Sequence, residues 1–529
     1  MLIFYVYSKL SKPFYTFLTF SLKMRFRFSK LQKKYFLLLC ILFVISLSIR
    51  FYFVFQTDQF TGDAAYATLR QVENIRSTGF PIFSDPLSFS GRFHLFMPVF
   101  HYIVAFFSLF MGSFWAAKII PNVLASTFIF VAYLIAYELM GNRRDSLITA
   151  FICTFIPVYF SSTINKISVY SLVIPLFFLT IYYFLKISQS KKYVHRFVLL
   201  CFIIPLVSPT FIFLVLGLLI YLVFIKLEYK KQNWLELELI LFATFLILWF
   251  EFLFFKTSFL FHGYSVIWQN LPSQILSSYF KDVSIFEAFT IVGILPFIMG
   301  CFAMYKCQLK DKDRKIYLLR SFVFGITILL WLKLVRLEFG LIMLAVCLSI
   351  LAGPAYRSMI SYFEQTKISF LKNVFIVFLL IVFISTSVLA SFAFSSGSIN
   401  EALTKEEVDA FNWIKENTPQ DSVVLSTISE GNLISSISMR KNVADMNFML
   451  IKDSSIIFED VKSMYTYMFK TEALELIEKY NINYIYFSHN AKNEFDIEKI
   501  KYVDQSCFPE VYSSKNIRIY ESKCKLGNG

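Results

Sequence analysis

Apolar runs at residues 35–55, 123–139, 197–225, 235–255 and 374–394 constrain this chain more than any other feature. Each approaches or exceeds the ~20 residues with which a helix crosses a hydrocarbon core. Lipid offers the backbone no hydrogen-bond partners, so each run has to satisfy its own N–H and C=O groups as an α-helix. Only 16% of the 529 residues are charged while 57% are hydrophobic, too little polar surface for a soluble fold of this size. The 65 Phe and 30 Tyr crowd these runs and their ends, as suits helices with aromatic rings near lipid–water boundaries. Pro157, Pro175, Pro205 and Pro296 fall inside runs, which a membrane bundle tolerates because neighbouring helices re-satisfy the freed carbonyls. The expectation is a polytopic α-helical membrane protein.

The formal net charge of +15 is unevenly spread. From Glu401 onward there are 20 acidic and 15 basic residues, and the remainder has 36 basic and 16 acidic. The excess positive charge sits in short loops between apolar runs, which is the pattern of cytoplasmic loops. No nucleic-acid-binding module accompanies it, so nucleic acid is not an expected partner. Residues 1–34 carry Lys9, Lys12, Lys23, Arg25, Arg27, Lys30, Lys33 and Lys34 and no acid, and read as a cytoplasmic tail rather than a cleaved signal. That puts residues 35–55 outward bound. The basic loops at 141–145, 188–196, 226–232, 306–315 and 356–367 are also expected to be cytoplasmic. Both constraints hold only if residues 97–111 do not span. This stretch (MPVFHYIVAFFSLFM) is short, begins near Pro98 and carries His101, and reads as a helix lying on the outer leaflet. About eleven spans follow, together with outer juxtamembrane helices, in a membrane domain of residues 35–395 with a first outer loop at 56–116.

Residues 396–529 read as an extracytoplasmic soluble α/β domain. Thr404 caps a helix at Lys405–Asn417, with Glu407 completing a capping box. A short strand at 422–425, a helix at 471–479, a strand at 484–487 and a closing hairpin at 509–522 follow. Six of the eight cysteines lie in or beside apolar runs as inert hydrophobes. Cys507 and Cys524 flank the last strand and can pair if the tail is extracytoplasmic.

The densest chemistry lies in the first outer loop, residues 62–92 (GDAAYATLRQVENIRSTGFPIFSDPLSFSGR). Asp63 stands a few residues past the first span, at the membrane–water boundary. By itself it also fits a solvated loop residue. Its context here is a helix through Arg70, a break at Gly79-Phe80-Pro81, then Asp85-Pro86 and Gly91-Arg92. This run resembles the GT-C superfamily of integral-membrane glycosyltransferases, especially the catalytic subunits of oligosaccharyltransferases and their archaeal relatives. In that family an acidic residue soon after the first span is catalytic, followed by an "LR…I…G.P…DP" run and a Pro-headed juxtamembrane helix. Asp63 matches the acid, and Arg70, Gly79, Pro81, Asp85 and Pro86 match the run. A second resemblance lies at residues 333–340 (KLVRLEFG) followed by Leu351-Ala352-Gly353, where the family's Arg holds the phosphate of a lipid-linked donor. Arg336 takes that place, with Lys333 beside it. Equally, Arg336 reads as an interfacial arginine beside Glu338. In the tail, Ser429-Glu430-Gly431-Asn432 and Arg440…Val443-Ala444-Asp445 fall where oligosaccharyltransferases carry Trp-Trp-Asp-Tyr-Gly and "R…V.DN". The Trp-Trp-Asp is absent, which speaks against transfer to the N-linked sequon.

The resemblance implies an enzyme at the cell membrane. It would take a sugar or oligosaccharide from a polyprenyl-phosphate donor and pass it to a protein or glycan acceptor at the outer face. Asp63 would be the general base, and Arg336 with Lys333 would neutralise the departing phosphate. Arg70, Asp85, Arg92, His101 and His262 are candidate donor or acceptor contacts; His94 also lies on this face. A divalent cation such as Mg or Mn is an open expectation, with Asp63 and Asp85 as its ligands if it binds. Residues 161–166 (SSTINK) lack the acidic pair of metal-dependent relatives. A transporter or lipid flippase competes with this reading, with Glu251 the main ionisable group inside an apolar run. So does a non-catalytic envelope assembly protein.

Overall fold

The computed structural model describes residues 30–93, 95–228, 233–263, 283–307, 313–365 and 369–525. Most of the basic N-terminal stretch, His94, parts of the loops at 226–232, 306–315 and 356–367, and residues 264–282 with Tyr264 and Trp268 lie outside the described residues.

Among the described residues six helices are long and apolar enough to cross a bilayer, or up to eight if each of two bent pairs counts as one span. The apolar runs break more often than a hydropathy count suggests, and Tyr170–Leu185 is apolar but shorter than these helices. Pro157 starts a new helix 54° from Arg143–Thr154, and Gly293, at φ 98°, turns the chain by 90° before Ile294–Lys306. Pro205 ends Lys191–Ile203 in a 3₁₀ turn, leaving a helix of 13 residues. Leu337–Gln365 occupies the middle of the bundle: 89% of its apolar window is buried, against 22% for Trp234–His262 and for Phe370–Asn400. The last two therefore expose their apolar sides, as lipid-facing helices do.

Val99–Met111 is a 13-residue helix, about 20 Å long at 1.5 Å per residue and too short to cross a ~30 Å core. Phe100, His101, Val104, Ala105 and Ser108 face the protein, while Phe106, Leu109 and Phe110 point away and are exposed.

Beyond Asn400 the chain builds a five-stranded sheet. Its strands are β3 (Val423–Leu425), β4 (Lys441–Asn442), β5 (Ile482–Phe487), β6 (Glu510–Ser513) and β7 (Arg518–Glu521), in the order β4-β3-β5-β7-β6. β3 runs parallel to both β4 and β5, and β5-β7-β6 is antiparallel. Helices Ser454–Thr466 and Lys470–Lys479 make the crossover to β5 that a parallel pair requires. Helix Lys405–Asn417 carries the expected capping box from Thr404 and Glu407. It buries Ala410, Phe411 and Ile414, with the Phe411 ring stacked on Tyr486 at 4.9 Å. Cys507 and Cys524 form a disulfide across the β6–β7 end of the sheet.

Candidate active site

Gly62 shapes the entrance to the site. Its φ of 84° and ψ of 152° are open to glycine and strained for any other residue, and they turn the chain directly into helix Asp63–Thr78. The residues before it are held firmly. Thr61 receives a bridge from Ala402, its N–H donates to the Asn165 carbonyl at 2.9 Å, and its hydroxyl donates to the Ser398 carbonyl at 2.8 Å. The buried ammonium of Lys118 donates to the carbonyls of Val54, Thr57 and Gln59 at 3.0–3.3 Å and to Asn165 Oδ1 at 2.5 Å. Asp63 thus stands first in its helix, where the positive end of the helix dipole favours a carboxylate.

The tail meets it there. The segment after the C-terminal end of β3 brings the Asn432 side-chain amide to donate to Asp63 Oδ2, and the Leu433 N–H donates to Oδ1 at 2.9 Å. Ends of parallel strands are where α/β sheets place their functional groups. Although Asp63 keeps some solvent access, enclosure by the protein raises its carboxyl well above the usual carboxylate range. The Asn432 and Leu433 donors counter that rise, and the nearby carboxyls of Asp445 and Glu430 reinforce it. Gly431 has no room for a side chain, because a Cβ there would lie 2.0 Å from the Ala444 carbonyl oxygen.

The sequence candidates around Asp63 are tied into ion pairs. Arg70 makes a two-pronged contact with Asp85 at 2.8 and 3.0 Å, and Asp85 also accepts from the Leu87 N–H and the Ser88 hydroxyl. Burial alone would raise Asp85, yet the Arg70 fork and these two bonds hold its carboxyl below the ordinary value. Asp85 pairs across a two-stranded ribbon with Arg92, since β1 (Ser84–Asp85) and β2 (Arg92–Phe93) are antiparallel. Arg92 in turn contacts Asp445 at 3.1 Å, with both side chains almost wholly buried. Asn442 completes the join, accepting from the Phe89 N–H at 2.7 Å and donating to the Gly431 carbonyl at 2.7 Å. Arg440 donates to the carbonyls of Lys415 and Thr418, closing the end of helix Lys405–Asn417.

Arg336 lines a cavity of about 450 Å³ with Lys166, Glu338, Ser161, Ser162 and Met446. Lys166 lies 3.9 Å from Glu338. Met446 connects this cavity to the Asp63 network, because it follows Asp445 and precedes Asn447, whose side chain donates to Asn432 Oδ1 at 3.4 Å. Lys333 is exposed at φ 52°, three residues before Arg336, and is not among the residues lining the cavity. His101 is buried edge-on against Phe96 at 4.8 Å. His262 ends helix Trp234–His262 with its ring 6.0 Å from Phe448 of the tail.

Among the described residues no group of three or more His, Cys, Asp and Glu side chains is placed to hold a metal ion. Asp85 is paired with Arg70, and each Asp63 oxygen accepts one N–H. Sequence reading passed over Lys118, Lys166, the Arg92–Asp445 pair and the role of Asn432. A lone lysine in the apolar stretch 113–126 was a usable signal for Lys118. Asn432 carries no such local mark.

The chain, a bundle around one buried helix with a small sheet docked on its first outer loop, shares its fold with solved structures of an archaeal oligosaccharyltransferase and of ArnT. No family model and no curated protein sequence matches it. Among solved structures it is similar to the archaeal oligosaccharyltransferase AglB from Archaeoglobus fulgidus in complex with an inhibitory peptide and a dolichol-phosphate. The TM-score is 0.69 at 14% identity, over 88% of this chain and 70% of that one. A complex of the Archaeoglobus fulgidus oligosaccharyltransferase with Zn and sulfate gives 0.62 at 14% identity, over 91% and 73%. ArnT from Cupriavidus metallidurans, bound to undecaprenyl phosphate, gives 0.56 at 11% identity, over 91% and 97%.

Proposed function

We propose that this protein is a membrane glycosyltransferase that moves a sugar or oligosaccharide from a polyprenyl-phosphate donor to a protein or glycan acceptor. The observation that carries the reading is Asp63. In a fold shared with proteins that bind dolichol-phosphate and undecaprenyl phosphate, a carboxylate is fixed at the seam between bundle and tail, and the Arg336 cavity is linked to it through Met446, Asn447 and Asn432. The N-terminus is then cytoplasmic and the tail extracytoplasmic, with the protein in the cell membrane.

In this mechanism the acceptor's O–H or N–H gives its proton to Asp63 as its heteroatom bonds to the anomeric carbon. The bond from that carbon to the phosphate oxygen breaks in the same displacement, inverting the centre. Polyprenyl phosphate leaves with the electron pair, and Arg336 stabilises the new charge, aided by Lys166. Ionised carboxylates have about four acceptor sites, so the bonds from Asn432 and Leu433 leave room for the acceptor's proton. Arg70, Asp85 and Arg92 hold the loop in place. No step is routed through a metal ion.

The test is transfer from labelled polyprenyl-phosphate sugars by the purified protein in liposomes. Asp63→Asn should cost about a hundredfold or more in kcat while KM for the donor stays put. Arg336→Ala should weaken both terms. Turnover at the wild-type rate by the Asp63→Asn protein would refute the assignment. Lipid movement between leaflets with no new glycosidic bond would favour the flippase.

A further inference from the structure

Asn432 lies 369 residues from Asp63 in sequence, yet its side chain is hydrogen-bonded to it. Its orientation is fixed at both ends. The side-chain oxygen accepts from Asn447 Nδ2 at 3.4 Å, so the NH₂ group faces Asp63. On the other oxygen sits a backbone N–H from Leu433, which is always a donor. Two N–H donors, one on each oxygen, favour the charged form of the carboxyl over the neutral one. We infer that Asn432 is a positioning residue for the reaction, favouring the charged form of the Asp63 carboxyl and aiming it for proton abstraction. This rests on the reading of Asp63 as general base.

The surroundings sharpen the point. The titratable groups facing Asp63 are Asp445 and Glu430, both from the tail and both acids. Asp445 is paired with Arg92. Glu430 is buried and takes its hydrogen bonds from Thr427 and Asn490 within the tail. No cation contacts the Asp63 oxygens among the described residues. The work of stabilising its charge against burial and two acidic neighbours therefore falls on the amide of Asn432, the Leu433 N–H and the start of the helix. Asn432 is itself buried, and Gly431 before it is held twice: it packs against Ala444, and its carbonyl accepts from Asn442.

The experiment compares wild type, Asn432→Ala, Asn432→Asp and Asp63→Asn in liposomes, recording kcat and KM from pH 5 to 9. Asn432→Ala is expected to lower kcat by about tenfold or more, leave KM for the donor within about twofold, and move the acidic limb of the kcat profile up by about one pH unit. Asn432→Asp, nearly the same shape, is expected to move that limb further by adding a negative charge. If Asn432→Ala folds poorly, Asn432→Asp alone decides the matter by its limb. Should the acidic limb stay where it is in both variants while Asp63→Asn is inactive, Asn432 is a packing residue and the inference is wrong. If instead Asp63→Asn is active, the underlying reading of Asp63 fails, and the two failures are told apart.

Discussion

At the scale of single residues, Glu430 of the tail is a second acid whose carboxyl burial raises, as it raises that of Asp63. Glu430 is only 1% exposed, and burial pushes its carboxyl up to about 7, even though Ser488, Thr427 and Asn490 donate to it. An unfolded glutamate ionises near 4.5. Below that pH both states hold the proton and ionisation costs the fold nothing. Between 4.5 and 7 the unfolded chain gives up its proton first, so stability falls as pH rises, by up to ~3 kcal/mol above pH 7. The wild-type melting temperature in detergent should therefore drop between pH 5 and 8, while Glu430→Gln stays flatter and melts higher at pH 8. Parallel curves for the two proteins would mean that Glu430 carries no such penalty. Glu430 was visible in the sequence only as a member of a tail motif. Its burial depends on residues 427 and 490, which no local pattern connects.

At the scale of elements, local rules read well where the partners are close in sequence. Thr404 and Glu407 predicted their capping box because both partners lie within one helical turn. The strands at 423–425, 482–487 and 518–521 fall on the expected stretches 422–425, 484–487 and 509–522, although β3 and most of β5 are buried on both faces instead of alternating. Long-range joins were opaque for the opposite reason: Arg92 and Asp445 are 353 residues apart, and either one alone looks like an ordinary loop charge. Asp63 was legible through its motif, whereas its hydrogen-bond partners were not. The seam between loop and tail gives a sharp test at Gly431. Its backbone is ordinary helical, with φ −59°, so its demand is purely for space beside the Ala444 carbonyl. Gly431→Ala should push residues 431–433 away from Asp63 and lower kcat about tenfold, with a stability loss of ~1–3 kcal/mol. Wild-type kcat in this variant would show that the seam yields without disturbing the site. Gly62→Ala differs in kind, as its cost comes from φ 84° rather than from contact.

At the scale of the whole molecule, the decisive property is which side of the membrane holds the tail. The proposed orientation rests on basic loops and on a helix at Val99–Met111 too short to span. The Cys507–Cys524 disulfide accords with an extracytoplasmic tail. Lys515 offers a clean reporter, for its side chain is 86% exposed in the turn between β6 and β7. A Lys515→Cys protein should react with a membrane-impermeant maleimide on intact cells. Reaction only after permeabilisation would invert the topology and remove Asp63 from the outer face.

The join between Asp63 and Asn432 also has a bearing on biosynthesis. A ribosome makes the carboxylate 369 residues before its amide partner, with the helices of the bundle in between. Until then Asp63 has neither the Asn432 amide nor the Leu433 N–H, and the loop lacks Asp445 to pair with Arg92. A product that stops before residue 432 is thus left with an unassembled centre, so the proposed activity can arise only once the tail has been made and has docked.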